Sequence, residues 1–395
     1  MSRPQPAPAL LAFALAFAFH VSAQEPVRTG NPPLFLTNLS NAPGIVLLQM
    51  RSWPATTNLT LPTPTSNWIA AYAMAGHRRV PLAWRFNTDA TQIQLELPAG
   101  SPNDFSGRVY LESVERTTQF PDGRIVFSAL DAAVHGRAAK LESHPGNHRI
   151  GFWTNPGDSV SWNYKPTRWG RYDLELVYSA DGTQAVELEL EAAGKKFTVL
   201  RPPTGSWYRY QVLSVGRLYL AKAEPFRVVV SCPTLRGGAA LNLKAVILRP
   251  APEGQPVQQE TSGAVTLAAR DAITHSTVMR YEPATNKNCL GFWVNARDWA
   301  EWEFNMTTPR TFEVEVWQGC GKGNGGSEAV VEVAEKRFTW TVEDTGHFQN
   351  FVPRRVGRVR LATPGTYSLA VRALRKQGAA VMDIRQVRLV PVEAE

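Results

Sequence analysis

The sequence predicts an all-β protein built as three consecutive antiparallel β-sandwich domains. Three observations carry this. Apolar and polar residues alternate with period two over many short runs, the pattern of strands with one packed and one wet face. The 29 Gly and 29 Pro punctuate the chain throughout, which favours short strands over long helices. Finally, the chain meets itself when shifted by 140 positions, as Gly151 against Gly291.

The duplication sets the main elements. Ala129, Asp131, Ala132 and His135 fall on Ala269, Asp271, Ala272 and His275. Gly151-Phe152-Trp153-x-Asn155 falls on Gly291-Phe292-Trp293-x-Asn295, and Asp158 and Trp162 fall on Asp298 and Trp302. After a one-residue slip, Gly205, Gly216 and Leu220 meet Gly346, Gly357 and Leu361. Two domain-sized units follow, 125–250 and 263–391, rather than turns of a solenoid. Within them Tyr172, Leu174 and Leu176 alternate with Asp173 and Glu175, and Phe312, Val314 and Val316 with Glu313 and Glu315. The Pro-rich polar join at 251–262 predicts an extended, semi-rigid linker.

Residues 30–115 form a third β-rich segment, in which Ile93, Leu95 and Leu97 alternate with Gln92, Gln94 and Glu96. Gly76 to Val80 reads as a hairpin connection, and a small sandwich is the simplest reading. Residues 1–23 read as a secretory signal, with Arg3, an apolar run from Leu10 to Phe19 and Val21-Ser22-Ala23 before Gln24. No other stretch is long enough to span a bilayer. The expected location is secreted, periplasmic or cell-surface. The sequons at Asn38, Asn58 and Asn305 matter only in a eukaryotic host.

Composition narrows the function classes. A hydrophobic fraction of 44% suffices for packed cores, and 19% charged residues argues against long disordered tracts. The net charge is +8, yet Arg and Lys are scattered, and Arg354-Arg355 and Arg375-Lys376 are the densest groups. That excludes a nucleic-acid partner and is compatible with adhesion to anionic polymers. Three cysteines, Cys232, Cys289 and Cys320, leave at least one unpaired. Cys289 with Cys320 is one pairing, and the fold does not depend on it, since Arg149 and Ala180 hold the matching places. No CxxC pattern indicates zinc.

Two resemblances attach to these residues. Gly76-x-x-x-Val80-x-Leu82-x-Trp84, Ile93-x-Leu95-x-Leu97-Pro98 and Val109-x-Leu111-Glu112 resemble the C-terminal β-sandwich of family 29 α-L-fucosidases. The catalytic barrel of that family, of roughly 250 residues, has no room here. The repeats are similar to galactose-binding-like jelly-roll modules attached to secreted bacterial fucosidases, sulfatases and related glycan-degrading proteins. The carriers are Gly151-Phe-Trp-x-Asn-x-x-Asp158-x-x-x-Trp162, its partner from Gly291, the glycine run 319–326, and Val342-Glu-Asp-Thr-Gly-His-Phe-Gln-Asn350. The resemblance implies ligands at loops along one rim or on the concave face. Family 6 and 35 carbohydrate-binding modules share this sandwich and often hold a structural Ca²⁺. That likeness implies metal ligation by Glu282 and Asp383, with Glu142 and Asn242 the weaker match.

Strand parity places Trp162, Trp302, Trp153 and Trp293 in the core. Sugar binding is therefore expected on loops: Trp317, Lys322, Asn324, Glu343, Asp344 and His347 in the second repeat, and Trp207 and Tyr208 in the first. An aromatic platform beside amide and charged groups suits sugar faces and hydroxyls. Glu343 and Asp344 are adjacent strand neighbours and cannot flank one glycosidic bond in regular structure. No GxSxG, HExxH or phosphate loop is present. The expectation is a secreted, non-catalytic carbohydrate-binding or glycan-targeting accessory protein. Its partner would be a poly- or oligosaccharide, with no cofactor beyond structural Ca²⁺. The alternatives are an extracellular structural or protein-interaction protein, or part of an α-L-fucosidase-type glycoside hydrolase system.

Overall fold

The computed structural model describes residues 35–37, 44–50, 53, 58–62, 67–75, 78–100 and 105–392. The secretory signal at 1–23 and the sequon at Asn38 lie outside them. The described chain is all-β, in antiparallel sheets apart from one short parallel pair. Its only helical turns there are single 3-10 turns at matching places, Ala129–Asp131 and Ala269–Asp271.

The shared signature has a structural reason at each position. Trp153 and Trp293 are buried, as are Trp162 and Trp302. The Trp162 indole donates to the Ser128 carbonyl at 2.8 Å and Trp302 to the Ala268 carbonyl at 2.7 Å. Each thereby ties a core strand to the residue before the 3-10 turn. Asn155 and Asn295 each accept a backbone N–H two residues on, from Gly157 at 2.8 Å and Arg297 at 3.0 Å. Asp158 accepts the N–H groups of Arg137, Ala138 and Ala139. Asp298 instead takes the Ser276 hydroxyl at 2.7 Å. Gly291 is required by close approach, because a Cβ there would stand 2.3 Å from a Glu282 carboxylate oxygen.

In the second repeat, one sheet orders Arg280–Glu282, Cys289–Gly291, Asp383–Val392, Arg310–Cys320 and His347–Leu361. The facing sheet centres on Trp299–Met306, Gly365–Arg375, Glu328–Val333 and Lys336–Thr341. The first repeat repeats this arrangement but with a sheet of ten strands. Its Ser206–Leu220 strand pairs with Ala83–Phe86 through Arg209↔Arg85 and Tyr210↔Trp84. The N-terminal segment thus contributes Gln92–Glu96 and Asn58–Pro62 to a sheet of the first repeat. Its remaining strands form a five-stranded sheet of their own.

Sequence parity treats the N-terminal segment as one more sandwich in a row. In the structure its core includes Val126, Val177, Tyr210, Ala245 and Ile247 of the first repeat. Charged groups close the seam. Arg124 is buried between Glu112 and Asp122, and Arg209 holds Glu96 through 2.7 and 2.6 Å hydrogen bonds. The Lys244 ammonium is fully buried and donates to the Asn67 side-chain oxygen at 2.8 Å. Burial, with Arg149 nearby, pushes this lysine well below its ordinary range.

The join at 251–262 also differs from a spacer. Glu253 pairs with Arg171 at 2.7 Å, and the N–H groups of Glu253 and Gly254 reach the Arg270 carbonyl. Val257–Gln258 runs parallel to Phe304–Asn305 as an added strand. Proline kept this segment extended, and an extended backbone is free to pair.

Candidate functional site

Three loops of the second repeat converge on one rim. The first follows Arg310–Cys320 and contains the glycine run. Gly321 lies against the Phe348 ring, where an added Cβ would sit 2.5 Å from a ring carbon. The second is the turn at Glu343–Gly346. Asp344 accepts the Gly323 N–H with one carboxylate oxygen and the Gly346 N–H, at 2.7 Å, with the other. Those two N–H groups hold its carboxyl below the usual carboxylate range. Thr345 locks the same junction, accepting the Cys320 N–H at 2.8 Å. The third loop is reached by Asn324, whose side-chain oxygen accepts from Ala379 N at 2.9 Å and Ala380 N at 3.3 Å.

The sequence-predicted residues divide by role here. Asp344 and Asn324 spend their polar atoms on backbone and act as braces. Lys322 and His347 are exposed at the rim. His347 Nδ1 accepts the Gln349 N–H at 3.1 Å. Glu343 is exposed and paired with Arg354. Trp317 lies further along its strand, half-buried on the outer sheet face between Pro353 and Gln386. Phe348, the floor of the rim, was missed; its place opposite the glycines was the available signal.

The first repeat presents no equivalent aromatic platform. Trp207 packs its ring against the core of its own repeat, and Tyr208 packs against that of the N-terminal segment. The Trp207 carbonyl accepts from Ser179 Oγ at 2.7 Å and Asn242 Nδ2 at 3.1 Å.

Glu282 and Asp383 do come together. Their carboxylates and the Cys289 thiol lie within 4.8 Å of one another, all three buried. Cys289 faces Glu282 directly across its hairpin. Burial and the Glu282 charge push Asp383 up to about 7. Burial likewise raises the Cys289 thiol, helped by Asp383. Lys287 supplies a cation, 2.7 Å from Glu282. Calcium takes six to eight hard oxygens, and two carboxylates with a thiol and an ammonium do not make that set. At the matching place of the first repeat, Arg149 pairs with Glu142, and Asn242 replaces Asp383. Both repeats therefore set a cation beside this glutamate, Arg149 in the first and the part-exposed Lys287 in the second.

The three cysteines are free and buried, so Cys289 and Cys320 are not bridged. Cys320 approaches the carbonyls of Gly321 and Val381 rather than another sulfur. Burial pushes the Cys232 and Cys320 thiols up to about 11. No helix among the described residues is long and apolar enough to cross a membrane.

No family model and no curated protein matches the chain. Among solved structures, a family 35 carbohydrate binding module from Clostridium thermocellum aligns at 17% identity. It covers 32% of this chain and 96% of that one, with a TM-score of 0.28. The Podospora anserina GH26-CBM35 beta-(1,4)-mannanase aligns at 15% identity over 34% of this chain, with a TM-score of 0.28. Paenibacillus xanthan lyase aligns at 12% identity over 89% of this chain, with a TM-score of 0.30. The alignments span only 29% of the mannanase and 33% of the lyase. Likenesses at these scores carry no weight for function.

Proposed function

We propose that this is a secreted, non-catalytic carbohydrate-binding accessory protein whose second repeat meets a glycan at the three-loop rim. The observation that carries the reading is the bracing of that rim. Asp344, Thr345 and Asn324 fix three loops to one another, so Lys322 and His347 project from a rigid edge. A preformed polar edge loses little entropy when it engages hydroxyl groups. The engagement of both candidate carboxylates supports a non-catalytic role: Glu343 by Arg354, Asp344 by loop amides. The likeness of residues 76–112 to a fucosidase C-terminal sandwich supports a place beside glycan-degrading enzymes.

The test is a glycan array probed with the full chain. Retention on a neutral glycan is expected, and Lys322→Ala with His347→Ala together should weaken it at least tenfold, about 1.4 kcal/mol. Absence of binding to every glycan, or unchanged binding by the double variant, would sink the rim proposal. Turnover of a fucoside by the pure protein would overturn the non-catalytic part.

A further inference from the structure

The outer face of one sheet is treated oppositely in the two repeats. In the first repeat, Val177 stands opposite Val212 and Ala245, and Ile247 lies opposite Glu175 in the next row. Val126, Val177, Ala245 and Ile247, with Tyr210, pack into the core of the N-terminal segment, and Val212 packs against it. The same positions of the second repeat, offset by 140 or 141, hold Thr266, Trp317, Pro353, Gln386, Arg388 and Phe351. A surface built to seat an apolar layer has become aromatic and basic.

Register puts these side chains in rows. Gln386, Trp317 and Pro353 form one row, and Arg388, Glu315 and Arg355 the next. Val390, Glu313 and Arg358 follow, then Val392, Thr311 and Arg360. Arg355 reaches both Glu313 and Glu315, at 3.0 and 3.4 Å. Arg358, Arg360 and Arg388 have no carboxylate in ion-pair reach among the described residues, and Arg358 and Arg360 are exposed. Arg385 adds a guanidinium 4.1 Å over the Phe351 ring.

We propose that this face binds a carboxylated polysaccharide, a polyuronate, laid across the arginine rows with a sugar ring against Trp317. The polymer class rests on the carbohydrate-binding reading above, whereas the surface is separate from the rim. Guanidinium forks match carboxylates in a bidentate way. The two glutamates decide against a nucleic acid. Glu313 and Glu315 share Arg355 as a partner, and each carboxylate keeps acceptor sites open to a hydroxyl donor. A polyuronate carries hydroxyls between its carboxylates that can donate to them, while the phosphodiester backbone of DNA offers no such donor.

The experiment measures retention of the full chain on immobilised polygalacturonate, on a neutral glycan that the rim binds, and on duplex DNA. Arg358→Glu with Arg360→Glu should lose polygalacturonate retention at least tenfold while keeping the neutral glycan. Lys322→Ala with His347→Ala should do the reverse. Trp317→Phe should weaken polygalacturonate binding less than the charge reversal. Polygalacturonate retention unchanged by the charge reversal overturns the proposal, as does stronger retention on DNA. Polygalacturonate retention that the charge reversal abolishes, in a parent chain that retains no neutral glycan, would strike the rim and uphold this face.

Discussion

At the scale of single residues, burial decides what the titratable groups do. Asp383 sits among Glu282, Cys289 and Lys287, and its carboxyl is raised to about 7. The native state therefore holds a proton through the range where the unfolded chain has lost it. Stability is full below pH 4 and falls as pH rises towards 7. Asp383→Asn should remove that slope, gaining about 1–3 kcal/mol relative to the parent at pH 8. Denaturation midpoints at pH 4.5 and 8 check this, and equal slopes in parent and variant would refute it. The same cluster shows why the sequence pointed to a metal. Two carboxylates at the right strand positions look like ligands, and only the fold shows that Lys287 already sits on one of them.

At the scale of elements, one loop joins the repeats. Thr167-Arg168-Trp169 leaves the first repeat and enters the second. Buried Arg168 donates to Thr274 Oγ1 and the Met279 carbonyl, and Thr167 to the Thr277 carbonyl. Arg280 lies between two rings, 3.5 Å from Trp169 and 3.6 Å from Phe292. In the first repeat Lys140 stands 4.0 Å over Phe152, with no third partner from the hook, and Pro309 replaces Trp169 in the second. The hook thus works in one direction only. Trp169→Ala should cost about 1–2 kcal/mol from lost ring and cation contacts. It should also speed proteolysis within 251–262. An unchanged midpoint with unchanged cleavage would refute the hook. The phenylalanines of the signature explain its reach: Phe152 and Phe292 have positive φ and point outward, while the tryptophans beside them point in. Strand parity made Trp162 and Trp302 legible, along with the repeat and the strands, whereas Trp153 and Trp293 are buried from beyond their strand ends. The hook was not, because Thr-Arg-Trp in a loop has no period. The rim was half legible: its loops were marked by glycine, but the bracing roles of Asp344 and Asn324 depend on backbone groups far away in sequence.

At the scale of the whole molecule, the N-terminal segment and the first repeat are one folding unit. The strand Asn242–Pro250 is buried on both faces along nearly its whole length. Its sequence, Leu-Lys-Ala-Val-Ile-Leu, lacks alternation, which was the available sign of two-sided burial. Lys244 in its middle obscured that sign. The matching strand Asp383–Val392 alternates and keeps a wet outer face. A chain beginning at residue 116 would expose Val126, Val177, Ala245, Ile247 and Tyr210 together. Each large apolar side chain returned to water costs about 1.5–3 kcal/mol. Such a chain should associate on size exclusion and unfold at a lower temperature than the full protein. A monomer with the parental midpoint would mean that the shared core contributes nothing. The same reasoning sets the valence of the basic face. The first repeat's matching face is apolar and covered by the N-terminal segment, so one basic face per chain meets solvent. Polyuronate titrated calorimetrically should saturate with a single class of site, weakened by the Arg358 and Arg360 reversals. Two equal sites would require a second basic face, which the apolar residues at the first repeat's matching positions do not supply, and would overturn the assignment.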